Sequence, residues 1–495
     1  MLELKHLPIK SFNENLAYIH KDCTVYKINN INDLTRIEIH GGERPVYAFL
    51  QVVEGNKIVR PDELGLNSEA FAALNLPEGA KVSLTLTPPA ASLTAVHRKI
   101  AGNILTAAEY SEIVEDIAAH RYSNLDIASF LVAVGSFITP TEVLYLARAL
   151  AAGNQITWES DNVVVDYHCL GEVPGNKSDL LVTAIVAAYG LPMPKVLFRA
   201  PDGCSGVADT MAVLADVNLD LRRFKKQVQE KRGAIVSAAN INVAAAEKMI
   251  LAVEQQNGLT TLERSVASML AQKIALGITH LVVDIPVGPR TGIKTTQEAM
   301  RLRKMVEYVG DMLGLTVDVV ITDGSEPIGA GIGAALEARD VMKILKNKED
   351  APEDLREKSL FLAGRILEFD PKLRGGQGYL VAKELLKSGQ ALDAMEQIIK
   401  SQGKVLQGAL LGHLTRDVVA DVSGKVERID SAFISRLGII GGAAQYPGAG
   451  IDLCKKVGDT VIAGDILYRI YSCNPNDFAF AASLLENGRN GYDIA

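Results

Sequence analysis

The sequence predicts a multidomain α/β protein whose main part is a mixed, mostly parallel sheet covered by helices. Three observations support this class: strands and helices alternate from residue 162 onward, a glycine-rich turn follows the first of these strands, and both ends of the chain are rich in short strands. A chain of 495 residues that is 48% hydrophobic is expected to fold into several globular domains.

Residues 1–89 are predicted to form a small, barrel-like β module. Short strand patterns occur at residues 23–28, 35–40, 46–53 and 82–87. Residues 62–76 are predicted to form a short helix, and Pro88-Pro89 marks the end of the module.

Residues 90–158 are predicted to be helical, because 122–134 and 141–150 carry apolar residues at helical spacing. Pro140, directly before the second run, is typical of a helix start. Residues 246–277 are also predicted to be helical, and we expect them to belong with this block.

The middle of the chain alternates between strands and long helical segments. The strand candidates are residues 163–166, 233–237, 280–285 and 316–322. Such alternation predicts a mostly parallel sheet with covering helices. Residues 405–495 form a last strand-rich module, in which Gly-Asp turns begin at Gly458 and Gly464.

Composition argues against several classes of partner. The net charge of -8 argues against nucleic acid and against an anionic membrane surface. The five cysteines form no Cys-x-x-Cys pair, so we expect reduced thiols and no metal site. The opening residues are not those of a signal peptide, and no apolar run approaches a bilayer span. We therefore expect a cytoplasmic protein, and the sequence predicts no cofactor.

The most informative motif runs from Val163 to Ser178. A strand, a turn rich in Gly, Pro and Asn, and a helix N-terminus together present backbone N–H groups to an anion. Ser178 adds a hydroxyl and Lys177 the nearby cation, but Glu172 in the loop has the wrong charge for a phosphate. The motif therefore has the backbone pattern of a phosphate-binding loop, but its charged side chains are poorly suited to bind phosphate.

His168 ends the first strand of this region. Ligands of open α/β sheets bind outside the carboxyl ends of the strands, so His168 is a candidate to contact a substrate oxygen or to act as acid or base. A histidine that only forms hydrogen bonds with the protein is the equally weighted alternative.

Two further loops are candidate sites. Residues 195–211 form a strand, a loop and a helix with Asp209 near the helix start, and an ordinary connecting loop explains them as well. Residues 322–333 contain Gly-x-Gly-x-Gly, a weak match to a dinucleotide fingerprint, and are interpreted as close packing of helix on sheet. Glu337 is a candidate contact between domains.

Taken together these segments resemble the thymidine phosphorylase family, nearest to its long branch with the AMP phosphorylases. The match runs nearly end to end and rests on residues 166–178, 206–211, 267–273, 282–289 and 322–324. The resemblance implies four domains. These are an N-terminal β domain (1–89), a helical domain (90–158 with 246–277), an α/β phosphate-site domain (159–245 with 278–404) and a C-terminal α+β domain (405–495).

The family's reaction is phosphorolysis, in which phosphate attacks the anomeric carbon of a nucleoside or nucleotide while the base leaves. The resemblance implies His168 as catalytic residue and a phosphate loop of Gly175, Asn176, Lys177 and Ser178. The implied substrate-binding residues are Tyr167, Gly171, Arg199, Asp209, Ser268, Lys273, Arg290 and Lys294. The resemblance also implies a homodimer, or a higher homo-oligomer, formed through the helical domain.

Several charge-bearing positions depart from the family pattern. Tyr167 replaces a phosphate-binding lysine, Glu172 replaces a loop glycine, and Val207 replaces a threonine. On the base side, Gln272 replaces a lysine and Thr260 falls near the expected proton donor. We therefore predict weak phosphate binding, slow phosphorolysis, and a cleft better suited to a neutral nucleoside.

Two functions remain open at this point. The first is a pentosyltransferase related to nucleoside and nucleotide phosphorylases, with an altered substrate site and with phosphate or another molecule as acceptor. The alternative is a catalytically inactive or repurposed homologue that acts as a binding or scaffold protein.

Overall fold

The computed structural model describes residues 1–11, 14–29, 35–153, 155–159, 161–197, 203–238, 241, 245–289, 291–373, 375–405, 410–486 and 488–495. Its contacts divide the chain into two compact units. The first combines Met1–Asn154 with Val243–Gln272, and the second combines Gln155–Asn242 with Lys273–Ala495. The first unit thus contains most of the two N-terminal domains expected from the sequence. The finer division into four domains stays a prediction.

Among the described residues of the first unit, six strands form a closed barrel. These are β1 (Leu2–His6), β2 (Leu16–His20), β3 (Arg36–His40), β4 (Val46–Val53), β5 (Glu63–Leu66) and β6 (Lys81–Leu86). Their order around the barrel is β1-β5-β2-β4-β3-β6. Alternate side chains point inward, and Ala17, Ile19, Ile37 and Ile39 are fully buried. The apolar residues that alternate along the sequence of each strand form this inward face.

Two predicted elements of this region differ from the structure. The sequence predicts a strand at residues 23–28, but Thr24–Asn29 forms helix α1, which follows a turn closed by the Cys23 N–H and the His20 carbonyl. Residues 62–76, predicted to be one helix, instead form β5 and then α2 (Ser68–Leu74). Pairing of β5 with β1 and β2 is non-local, and it overrides the helical pattern of the segment.

Four helices complete this stretch of the first unit: α3 (Leu93–Ile100), α4 (Ala107–Ala118), α5 (Asn124–Ser136) and α6 (Pro140–Ala151). Three of these helices begin with a capping box, at Thr106, Ser123 and Thr139. Each hydroxyl accepts a backbone N–H from the first turn, and an acidic side chain of that turn accepts the backbone N–H of the capping residue. The buried Lys99–Glu142 ion pair, at 2.6 Å, joins α3 to α6.

The chain then enters the second unit with β7 (Val165–Cys169), α7 (Ser178–Tyr189), β8 (Met193–Leu197), α8 (Val207–Ala212), α9 (Leu221–Lys231) and β9 (Gly233–Ser237). Strands β8 and β9 pair in parallel. Helix α7 is buried along most of its length, because its residues are apolar on nearly every side. It is therefore a central helix of this unit.

Helices α10 (Ala245–Asn257) and α11 (Leu262–Ala275) follow. They belong to the first unit as far as Gln272, so the division between the units falls inside α11. The remaining elements of the chain belong to the second unit.

The next elements are β10 (His280–Val287), α12 (Thr296–Met312) and β11 (Thr316–Asp323). The two strands form a three-stranded sheet with β7. Strands β7 and β11 flank β10, and both pairings are parallel. Their carboxyl ends therefore lie along one edge of the sheet. This arrangement confirms the predicted α/β class.

The elements that follow are β12 (Gly331–Ile332), α13 (Ala334–Leu345), α14 (Glu353–Leu367), α15 (Gln377–Lys387) and α16 (Gln390–Gln402). The last part of the chain adds β13 (Leu414–Val419), β14 (Gly424–Ile429), α17 (Ser431–Ile440), β15 (Gly450–Leu453), β16 (Thr460–Val461), β17 (Ile466–Ser472), α18 (Pro475–Ser483) and β18 (Tyr492–Ile494). Strand β12 pairs with β15 and so joins the sheet of order β12-β15-β17-β13. Across the described ranges, no helix is long and apolar enough to cross a membrane.

Candidate active site

A cavity of about 250 Å³ lies at the carboxyl end of β7. Its walls come from the end of that strand, the loop of residues 171–177, the first turn of α7, and the segment 203–207. Single residues at the end of β8, in β12, in α13 and in α17 complete the lining. The cavity therefore lies where parallel sheets bind their ligands.

Two glycines shape the loop of residues 171–177. Gly171 has a φ of 141° and lies against Pro286, so that a Cβ there would approach the proline ring to 3.0 Å. Gly175 has a φ of 77°, and a Cβ there would lie 2.2 Å from the Ile328 carbonyl oxygen. The predicted loop residues Gly171 and Gly175 are thus required by backbone conformation and close approach.

The Asn176 side chain ties the loop to the elements on either side of it. The Ser178 hydroxyl is fully buried and donates to the Asn176 side-chain oxygen at 2.8 Å. The Asn176 amide in turn lies 3.6 Å from the Cys169 sulfur. Asn176 and Lys177 line the cavity, whereas Ser178 lies outside its lining. The hydroxyl predicted for the ligand is therefore used to hold the loop.

Strand β7 places its candidate residues on opposite faces, as strand geometry requires. His168 faces the cavity, whereas Tyr167 is fully buried in the core and its hydroxyl donates to Asp284 at 3.2 Å. Tyr167 is not part of the cavity lining, which corrects the predicted contact with substrate. A lysine in its place would bury an ammonium beside Lys195, whose Nζ lies 5.2 Å from the Tyr167 ring centroid.

A buried charge cluster lies beneath the cavity wall. The Asp166 carboxylate is fully buried between Lys273 at 2.7 Å and Lys195 at 3.2 Å, and Lys195 also contacts Asp179 at 2.5 Å. Burial alone would raise the pKa of Asp166, but the two ammonium groups outweigh it and hold this pKa below its usual range. Burial and the neighbouring Lys195 lower the pKa of Lys273, against the attraction of Asp166. Lys273 forms an ion pair with Asp166. It is not one of the residues that line the cavity.

His168 is a neutral group in this setting. Burial, and then the ammonium groups of Lys273 and Lys195, hold its pKa well below the usual range. Its imidazole forms no side-chain hydrogen bond to any residue that the structure describes. A neutral, uncommitted imidazole at the cavity wall can donate or accept one hydrogen bond from a ligand, but it supplies no positive charge for phosphate.

The cavity walls are poor in positive charge. Lys177 is the cation among the described lining residues, and its ammonium lies 3.1 Å from the Glu337 carboxylate. Glu172, an exposed residue, lines the same space. Apolar side chains, among them Leu197 and Val207, form much of the remaining surface.

The other predicted site residues lie away from the cavity or outside the described residues. Asp209 accepts the Gly206 N–H at 2.9 Å and so caps α8. Lys294 has an exposed side chain before α12 and does not line the cavity. Arg199 and Arg290 lie outside the described residues, so their predicted roles stay predictions.

Ser268 belongs to the first unit, where it takes part in a separate buried network. Its hydroxyl donates to Glu247, and both Glu247 oxygens accept from Arg264 at 2.9 Å. Arg264 and Glu247 are almost fully buried. The predicted role of Ser268 in binding substrate stays a prediction.

Sequence reasoning missed Lys195 and Asp179 and gave Glu337 a different role. A lysine within the apolar run of β8 was the available signal, because an isolated buried ammonium needs a carboxylate partner. Asp179 in the first turn of α7 provides that partner. Glu337 has no comparable local signal, since its contacts come from residues distant in sequence.

Fold and site together define an α/β protein with a ligand cavity at the carboxyl edge of a parallel sheet. No family model matches the chain. Curated proteins named "Putative thymidine phosphorylase" are similar to it over nearly their whole length. The protein of Rhodopseudomonas palustris is 44% identical over 98% of this chain and 95% of its own. That of Methylococcus capsulatus is 43% identical over 100% and 96%.

A solved structure shares the fold. The crystal structure of anthranilate phosphoribosyltransferase from Thermus thermophilus covers 62% of this chain and 99% of its own, with 20% identity and a TM-score of 0.52. The chain belongs to the thymidine phosphorylase family. Membership of this family supports a pentosyltransferase, and the non-catalytic alternative is not favoured.

Proposed function

We propose that the chain transfers the pentose of a nucleoside or nucleotide-like substrate at the cavity beside His168. In this reaction an acceptor oxygen forms a bond to the anomeric carbon as the bond from that carbon to the base nitrogen breaks. The base leaves with the electron pair and takes up a proton. The observation that carries the proposal is the glycine-shaped loop of residues 171–177, which forms a cavity together with a neutral histidine.

We further propose that phosphate is a poor acceptor here. The described walls offer one ammonium, already paired with Glu337, and place the Glu172 carboxylate in the same space. Among the described lining residues, a phosphate dianion would find its one ammonium already paired, so the loss of its water shell would be poorly compensated. A neutral nucleoside, bound through His168 and the apolar walls, suits these groups better.

Steady-state kinetics with thymidine, uridine and AMP in the presence of phosphate tests the proposal. Cleavage of the glycosidic bond should be detectable by release of free base. We expect turnover far below the ordinary enzyme range of about 1–10³ per second. Turnover within that range would overturn the proposed weakness of phosphate, and no release of base from any of the three substrates would overturn the proposed substrate class.

The exposed face of α5 supports the proposed homodimer. Leu125 and Val132 are seven residues apart and are 76% and 52% exposed. Between and beyond them, Ser129 and Ser136 donate their hydroxyls to carbonyls of the same helix at 2.8 Å. Because these hydroxyls are already bonded within the helix, the face offers fewer polar groups to water than its composition indicates. Such a surface is suited to contact with a second copy of the chain. A cytoplasmic location stays a prediction.

A further inference from the structure

A small cavity lies inside the first unit, where the barrel meets the helices. Its walls come from β3, from β4, from the segment directly after β6 and from the turn that follows α4. The cavity has a volume of about 10 Å³, which is room for one water-sized group. Among the described residues it shares no lining with the cavity beside His168. The lining residues that carry the argument are Arg36, Tyr47, Phe49, Thr87, His120 and Arg121.

Four buried polar atoms of these side chains have no hydrogen-bond partner among the described residues. They are the Nε atoms of Arg36 and Arg121, the hydroxyl oxygen of Thr87 and the Nδ1 of His120. Folded proteins rarely leave buried polar groups without partners, because the lost contacts with water are not replaced. Four such atoms around one small cavity therefore indicate a site for a polar ligand.

Each guanidinium group at the cavity is fixed by an ion pair and by an aromatic ring of β4. The ion pairs join Arg36 to Asp126 at 2.5 Å and Arg121 to Asp116 at 2.9 Å. The rings of β4 lie 5.2 Å and 5.6 Å from the respective guanidinium carbons. Because the hydrogen bonds to the carboxylates use terminal nitrogens, both Nε–H groups keep their protons for another acceptor.

His120 has a backbone conformation that favours another residue type. It follows the end of α4 with a φ of 58°, where glycine is the usual residue because a Cβ is unfavourable there. Burial, and then the ammonium of Lys248, lower the pKa of His120. The neutral ring can carry its proton on Nδ1 and donate it. A strained position that presents a buried donor to a cavity favours a binding role for the ring.

The chemistry of the walls selects the class of ligand. Two arginines and no acidic residue line the cavity among the residues that the structure describes. An Nε–H can only donate, and the Thr87 hydroxyl and the His120 ring can donate as well. A ligand that accepts from all four groups and lies between two guanidinium groups is favoured when it is negatively charged. Phosphate and sulfate are larger than the available room.

We propose that this cavity binds a single small anion of halide size, such as chloride. The donors belong to β3, to the segment after β6 and to the turn after α4, so the anion bridges the barrel and the helices. Its binding should therefore stabilise the folded first unit. A water molecule that accepts from the arginines and donates to Thr87 and His120 is the competing occupant, and it predicts no dependence on halide.

Thermal unfolding of the full-length chain in sodium chloride and in sodium gluconate, at equal ionic strength, tests the proposal. At saturating chloride the unfolding temperature should be higher by about 2–5 °C, as expected for a ligand about tenfold above its Kd. The double variant Arg36→Lys with Arg121→Lys keeps both charges but removes both Nε–H groups, and it should lose this difference. Arg98→Lys is the matched control, because the side chain of Arg98 is 50% exposed and pairs with Glu109. It should keep the difference.

Crystals of the full-length chain soaked in sodium bromide provide a direct readout. An anomalous peak should lie within hydrogen-bond reach of both Nε atoms. If the double variant does not fold, His120→Gly replaces it, since glycine suits the positive φ and removes one donor; the chloride effect should then weaken. Equal salt effects in the unmodified chain and in the site variant would overturn the proposal. So would no chloride effect in the unmodified chain, including a bromide peak that reflects binding at crystal concentration only.

Discussion

His168 shows how the surroundings of one residue decide its chemistry. Two buried ammonium groups and the loss of water keep the imidazole neutral in the folded chain. A neutral imidazole positions a ligand through a single hydrogen bond. It carries no positive charge with which to hold a phosphate.

The protonation of His168 predicts a pH dependence of stability. The unfolded histidine takes up a proton near pH 6.5, whereas the folded one does so only at lower pH. Unfolding therefore binds a proton below pH 6.5, and stability falls with decreasing pH by up to about 1.4 kcal/mol per unit. In urea titrations between pH 7 and pH 5, His168→Gln should show a shallower loss of stability than the unmodified chain.

The exposed His97 provides the control for this measurement. His97→Gln should follow the unmodified chain across the same pH range. Identical slopes for His168→Gln and the unmodified chain would contradict a depressed pKa at His168.

Asp166 predicts a large stability effect. It is the carboxylate between Lys195 and Lys273, and its removal would leave Lys273 buried without a counter-charge. Asp166→Asn should lower the free energy of unfolding by about 3–5 kcal/mol. Asp161→Asn breaks a partly exposed pair with Arg232 and should lower it by about 1 kcal/mol or less. Similar losses in both variants on denaturation would refute the dependence on burial.

At the scale of elements, the loop between β7 and α7 depends on Gly175. Alanine there would adopt an unfavourable positive φ and would also clash with the Ile328 carbonyl. Gly190 ends α7 with a φ of 103°, and no heavy atom lies within 4 Å of the position that a Cβ would occupy there. Gly190→Ala therefore isolates the conformational penalty, about 1–2 kcal/mol.

Gly175→Ala should be destabilised by about 1–3 kcal/mol more than Gly190→Ala, because overpacking adds to the same backbone penalty. Thermal unfolding of the two variants gives the comparison. Equal unfolding temperatures would show that the loop can move away from Ile328 freely.

The predicted elements succeed where local pattern and long-range pairing agree. The strand predicted at residues 233–237 has its observed bounds, and β10 and β11 differ from their predictions only at their ends. The prediction for residues 62–76 is wrong because β5 belongs to a barrel whose partners lie far along the chain. Such pairing leaves no periodic signal within the segment itself.

The candidate site was predictable only in outline. The turn after β7 and the direction of His168 follow from strand, glycine and helix order in the sequence. The pairing of Lys177 with Glu337, and that of Lys273 with Asp166, joins residues more than one hundred positions apart. Those contacts decide the charge of the cavity, and a single sequence holds no direct record of them.

At the scale of the whole molecule, the apolar face of α5 predicts the state of assembly. We expect the unmodified chain to sediment as a dimer or a larger homo-oligomer. Leu125→Asp with Val132→Asp should shift it to a smaller species, because two charges cannot be buried in an apolar contact. Leu380→Asp, at an exposed leucine of α15, should leave the sedimentation unchanged. A monomeric unmodified chain would remove the basis for the dimer.

The first unit is assembled from two stretches of chain, with part of the second unit between them. This order has a consequence for biosynthesis. Domains generally fold as they emerge from the ribosome, beginning at the N-terminus. Here the barrel and α3 to α6 are made early, but α10 and the start of α11 emerge only after β7, α7, β8 and β9. The N-terminal unit therefore cannot be completed first, and the nascent chain must carry both units unfinished until residue 272 has been translated.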